Sequence, residues 1–303
     1  MDKRLLVWKG IRYPERRDEI MESRNTNNFR EAVAIRRVIE SYSAQGYQVL
    51  LGNPDCLPTT LCRDGRTVNA SYAISMSDIQ VFEWIAHISP WQRALVIGNS
   101  FGFSTFIIAG LCAGCFVDVI DAEVEGSENR LGSELTRRIA ENDFPGVKLT
   151  IGFSPQDLAK ACRFSNYDFI FIDGLHTNDQ LMADFKGVRE LRAENSVVYC
   201  HDVGMAKMHS GWSRIRSELV DENDEAFDLH FTSFGSTIVI RGNHNLKDVM
   251  RLCCGQLNEV SYFFGSKHVG LRSAFRMLFR TLIYSTQYGH LLKKLGFQSF
   301  VKT

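Results

Sequence analysis

The sequence predicts an α/β protein: a doubly wound, mostly parallel sheet with a C-terminal antiparallel hairpin, plus helical N- and C-terminal extensions. Three observations predict it. Five short apolar runs, at 94–97, 116–120, 147–151, 167–172 and 197–200, alternate with segments of helical periodicity. Each run is nearly continuously apolar, as a strand covered on both faces must be. Polar residues follow the runs directly, at Gly98, Asp121, Asp173 and His201–Asp202.

The elements follow in order. Residues 1–30 are charged and irregular, and Phe29, Val33, Ile35, Val38 and Ile39 begin a helix that runs to about Tyr42. Residues 46–69 read as loops and short extended pieces, because Gly52, Pro54, Pro58 and Gly65 interrupt them. Ser75 or Ser77 caps a helix reaching about His87. The first strand, 94–97, leads through the turn 98–102 into a helix over 103–113. Helices at 127–142, 155–162, 179–191 and 208–219 follow the later strands. Runs at 227–232 and 237–241 read as the hairpin. The expected organisation is an extension over 1–74, the α/β domain over 75–242 and a second extension over 243–303.

Composition narrows the function classes. The 303 residues hold 35 Lys+Arg and 35 Asp+Glu, so the net charge is zero, unlike a general nucleic-acid binder. The zero is unevenly spread. No acidic residue follows Glu259, while seven cations do, leaving 28 basic and 35 acidic residues before them. Cys112 and Cys115 lie in an apolar run with no second pair at metal-binding spacing, which favours packing over ligation. The first residues lack the apolar core of a signal peptide, and no apolar run is long enough to span a membrane. The expected location is cytoplasmic.

The turn after the first strand is Gly98-Asn99-Ser100-Phe101-Gly102-Phe103-Ser104. Its glycines permit a sharp bend and close approach of an anionic group to the next helix. The G-x-x-x-G spacing is not that of dinucleotide binders. Asp121 ends the second strand, where a carboxylate can accept both ribose hydroxyls of a nucleoside. Glu123 competes for that role. Asp173, His176, His201 and Asp202 gather at the ends of adjacent strands. Two carboxylates and two imidazoles there suit either a divalent metal or a general base.

The segments ALVIGNSFGFST (94–105), DVIDAE (118–123), YDFIFIDGLH (167–176) and VVYCHDVG (197–204) resemble class I S-adenosylmethionine-dependent methyltransferases, in their small-molecule O-methyltransferase branch. The resemblance covers about residues 75–242 and implies a Rossmann-like sheet. It implies Gly98, Asn99, Ser100, Gly102, Ser104 and Asp173 near the cofactor, Asp121 on its ribose and Ser154 near its adenine. In metal-dependent relatives, the residues matching Asp173 and Asp202 hold magnesium. Here Val203 follows the second of them, where those relatives have Asn or Asp. Val96 likewise stands where many members carry an acidic residue.

The expected function is methylation of a small-molecule or saccharide hydroxyl. His176 is the expected base, with Asp173 and Asp202 orienting the acceptor directly or through a metal such as magnesium. The competing readings are a methyltransferase-fold binding protein without turnover and a nicotinamide-dependent oxidoreductase. Arg272, Arg276 and Arg280 form one stripe of a C-terminal helix. That stripe suits either solvent or an anionic partner, such as a membrane surface or a phosphate-bearing acceptor. A homo-oligomer is compatible with the sequence, and no specific nucleic-acid partner is expected.

Overall fold

The computed structural model describes residues 30–52, 58–124, 126–205, 208–232 and 234–251. The stripe Arg272, Arg276 and Arg280 lies outside them. The seven-stranded sheet runs β6-β5-β4-β7-β8-β10-β9. Its strands are β4 (Arg93–Ile97), β5 (Phe116–Asp121), β6 (Val147–Ile151), β7 (Tyr167–Ile172), β8 (Arg192–Cys200), β9 (Asp224–Leu229) and β10 (Ser236–Arg241). The first five are parallel, and β10 is antiparallel to both β8 and β9.

Alternation along the strands divides the core in two. Ala94, Val96, Phe169, Phe171, Val197 and Tyr199 face one side. That side is covered by α1 (Arg30–Ala44), α2 (Met76–Ile88), α3 (Phe103–Leu111) and α4 (Ser127–Asp143). Leu95, Ile97, Ile170, Ile172, Val198 and Cys200 face the other. There the cover is α5 (Leu158–Ala161), α6 (Asn178–Val188) and α7 (His209–Glu218). Both faces of the central strands are thus buried, which is why their sequences are apolar throughout. Val96 and Val203 are buried within these cores. Cys112 and Cys115 are buried free thiols.

Several boundaries differ from expectation, among them the start of β8 at Arg192 and not 197. Of residues 46–69, expected as loops and short extended pieces, the described ones are mainly extended. They contribute to a separate antiparallel sheet of β1 (Gln48–Leu50), β2 (Pro58–Arg63) and β3 (Arg66–Ser75). Register shifts between β2 and β3 fall between Pro58 and Cys62, beside one of the expected breakers, Pro58. The first hairpin strand also begins earlier, at Asp224, because the Asp224 carboxylate is buried against the Arg192 guanidinium at 2.8 Å. This pairing lets a polar residue enter the sheet. No helix among the described residues is long and apolar enough to cross a membrane.

Candidate functional site

Strand order reverses beside β4, with β5 on one side and β7 on the other. A crevice at the carboxyl ends of the strands belongs at this switch. Backbone hydrogen bonds continue the sheet past the strand ends. Gly98 N–H donates to Ile120 O, Asp173 N–H to Ile97 O and His201 N–H to Ile172 O, at 2.8–3.0 Å. The glycine turn, Asp173 and His201 are therefore held side by side by backbone.

The turn is fixed from three directions. Gly98 and Gly102 have positive φ, as does Ser100 between them. The Asp121 carboxylate accepts the N–H groups of Asn99 (2.7 Å), Ser100 (3.1 Å) and Glu123 (2.7 Å). The Asn99 side chain donates to Ser100 O and Thr136 Oγ1 and accepts from Thr105 Oγ1. Tyr42 of α1 donates to Phe101 O at 2.6 Å. The N-terminal extension thus supports this turn. Asn99, Ser104 and Asp121 are buried, so the buried Asn99 and Asp121 groups brace the turn from within. Glu123 is more exposed. Ser154 follows β6, and its carbonyl accepts from Gln180 Nε2 at 2.7 Å.

Asp173, His176, His201 and Asp202 come together as the sequence predicts. His176 Nε2 lies 3.3 Å from both Asp173 Oδ1 and Asp202 Oδ2. His201 Nδ1 lies 3.2 Å from Asp173 Oδ1 and 3.1 Å from Asp202 Oδ1. Asp202 has φ +59°, a left-handed conformation rare outside glycine and concentrated at functional sites. Burial would lower the pKa of His201, but the charges of Asp202, Asp173 and Asp78 outweigh it and hold the ring well above the ordinary value. Burial likewise opposes His176, whose pKa is raised by the hydrogen bond and charge of Asp173 and by Asp202. Burial would raise Asp173, and the two histidines hold it well below the carboxylate range instead.

Asp173, His201 and Asp202 offer donor atoms within 4.8 Å of one another. Asp202 Oδ1 is buried without a hydrogen-bond partner, so the set fits a cation. Val203 is not needed for this, since His201 on the other side of Asp202 supplies the third donor. The mixed nitrogen and oxygen set suits manganese, iron or zinc better than magnesium. In the metal-free cluster, a charged His201 neutralises the same carboxylates.

Asp78 was not legible as part of this site. It reaches the far side of His201, with Oδ2 3.5 Å from Nε2. The available signal was the Ser75-x-x-Asp78 spacing of a capping box, which the helix indeed forms. Asp168, the second residue of β7, accepts the N–H groups of Gln92 and Arg93 at 2.9 Å.

Residues 95–203 match the family model described as a methyltransferase domain. No curated protein matches the chain. Among solved structures, an O-methyltransferase from Bacillus cereus in complex with SAH is 18% identical, with a TM-score of 0.49 over 69% of this chain and 90% of that one. The O-methyltransferase TomG from Streptomyces achromogenes, solved with SAM, is 15% identical, with a TM-score of 0.48 and the same coverage. Both scores are low, so neither bears on what this chain binds. The family match spans the glycine turn and the three other polar strand ends, so this part of the chain is similar to a methyltransferase domain.

Proposed function

We infer that the chain transfers a methyl group from S-adenosylmethionine to a hydroxyl of a small molecule or saccharide. One observation carries the reading: the glycine turn after β4 and the polar cluster after β7 and β8 meet at the switch in strand order. The functional unit is taken as residues 75–242, with 1–74 and 243–303 as flanking extensions. S-adenosylmethionine supplies an electrophilic methyl on a sulfonium. Gly98, Asn99, Ser100, Gly102 and Ser104 form its cradle, with Asp121 or Glu123 at the ribose and Ser154 at the adenine. His176 is the more solvent-accessible of the two histidines and takes the hydroxyl proton as the acceptor oxygen attacks. Asp173 and Asp202 hold the His176 ring and orient the acceptor. The basic tail supplies cationic surface for an anionic group on the acceptor or for a membrane.

Calorimetric titration with S-adenosylhomocysteine tests the cofactor half. Saturable one-to-one binding is the expected result, and a folded protein that binds none removes the reading. The three converging donors favour a metal-assisted form of the same reaction. In that form Asp173, His201 and Asp202 would hold a divalent cation, and the chemistry it would supply is Lewis-acid polarisation of the acceptor hydroxyl. Chelation then abolishes turnover and manganese restores it, whereas turnover unaffected by chelator leaves His176 to act alone.

A further inference from the structure

Helix α1 reaches the glycine turn from outside residues 95–203, the stretch that matches the methyltransferase family model. It lies against α3 at two places. Near its start, Ala34 packs closely on Gly110, so that a Cβ added there would stand 3.1 Å from the Ala34 Cβ. Two turns on, the fully buried Tyr42 ring packs against Phe103 and Phe106, with centroids 6.3 and 6.1 Å away. Between these points, the Arg37 guanidinium lies 4.3 Å from the centroid of the Phe144 ring and donates to Asp143 O at the end of α4. Contacts along its length therefore keep α1 from tilting alone.

The Tyr42 hydroxyl donates to Phe101 O at 2.6 Å. That carbonyl belongs to the peptide joining Phe101 to Gly102, inside the glycine turn. The N–H of the same peptide donates to Asn99 O at 2.7 Å. One end of the peptide is thus held by the turn itself and the other by α1. Ser100 just before it has φ +47°, a strained conformation for a residue with a side chain, which persists only when its surroundings hold it. The peptide leads directly into α3, whose first N–H groups have no carbonyl one turn earlier and are free to meet a ligand. Its orientation sets where those groups stand.

We propose that Tyr42 is a positioning residue for the cofactor, and that α1 is part of the cofactor site without touching the cofactor. Its hydroxyl holds the Phe101–Gly102 peptide in the orientation that the bound cofactor needs, so cofactor affinity depends on a residue of the N-terminal extension. The proposal rests on reading the glycine turn as the S-adenosylmethionine cradle.

The test compares the wild type with Tyr42→Phe, which keeps the packed ring and removes only the donor. Calorimetric titration with S-adenosylhomocysteine, well below the melting temperature, is expected to show affinity lowered about tenfold, the worth of one hydrogen bond. Tyr47→Phe is the control. Tyr47 is as deeply buried, but its hydroxyl meets Arg63 at 3.4 Å, and its loss is expected to leave affinity within about twofold. Unchanged affinity in a folded Tyr42→Phe overturns the proposal, and so does an equal loss in both variants, which general loosening of the fold would produce. Coupling is reciprocal, so in the wild type S-adenosylhomocysteine is expected to slow amide hydrogen exchange in α1 more than in β9, at the far edge of the sheet. If Tyr42→Phe fails to fold, this measurement decides, and exchange in α1 slowed no more than in β9 overturns the proposal. A wild type that binds no S-adenosylhomocysteine removes the methyltransferase reading and this proposal together, whereas normal wild-type binding with an indifferent Tyr42→Phe removes this proposal alone.

Discussion

The carbonyl oxygen of Asp173 occupies the space in which a side chain on Gly98 would begin. The two residues follow neighbouring parallel strands, and the contact joins the turn to the chemical cluster. Gly98 also has φ +89°, which L side chains rarely adopt. Gly98→Ala therefore meets a backbone overlap and a strained dihedral together. Its expected cost is about 3 kcal/mol or more in urea denaturation, with loss of S-adenosylhomocysteine binding in calorimetry. An alanine variant with unchanged stability and binding would mean that the strand ends separate readily.

Asp121 and Glu123, between which the sequence left the ribose role open, differ in what already engages them. Asp121 already accepts three backbone N–H groups, two of them from the glycine turn. Asp121→Asn is expected to lower stability by about 1–3 kcal/mol, and cofactor affinity with it. Glu123→Gln is expected to lower S-adenosylhomocysteine affinity by roughly tenfold, about one charge-assisted hydrogen bond, without moving the denaturation midpoint. Unchanged affinity in Glu123→Gln would return the ribose contact to Asp121.

The parallel strands were legible because their central stretches, such as 94–97, 169–172 and 197–200, are buried on both faces and therefore apolar. The small sheet of β1, β2 and β3 was not, because Thr59, Thr60, Arg63 and Arg66 break any apolar run, and its pairing is set by partners rather than by pattern. The start of β9 was missed for a related reason: Asp224 looks like a loop residue until Arg192 and Arg241 close on it. In the strand-end cluster, the proximity of Asp173, His176, His201 and Asp202 was readable from their places after the strands. Asp78 was not, since its partners Tyr199, His201 and Ser236 are more than a hundred residues away. The internal use of Asn99 was hidden likewise, because Thr136 comes from the following helical unit.

His176 holds its position through two carboxylates at equal distance. His176→Gln keeps an amide able to donate to Asp173 but cannot accept a hydroxyl proton at neutral pH. Turnover, read as release of S-adenosylhomocysteine across a panel of phenols and sugars, is expected to fall by about 10²–10⁴-fold. Cofactor affinity is expected to be unchanged. A glutamine variant that turns over at the wild-type rate would take the base role away from His176.

Asp184 of α6 offers a test at the level of stability. It is buried, and its carboxylate accepts from Gln180 Nε2 at 2.8 Å, the same amide that reaches Ser154 O. Burial pushes its pKa up from 3.8 to about 6, against the hydrogen bonds that favour the charged form. The folded chain thus binds this proton more tightly than the unfolded chain does. The contribution to stability is fully present below about pH 4 and is lost as pH rises through about 6. A shift of this size corresponds to about 3 kcal/mol. Asp184→Asn, which cannot ionise, is expected to lack this loss. Its stability relative to wild type, measured by urea denaturation, should therefore rise between pH 4 and pH 7. A difference between the two proteins that does not change over that interval would show that Asp184 stays solvated in the folded chain.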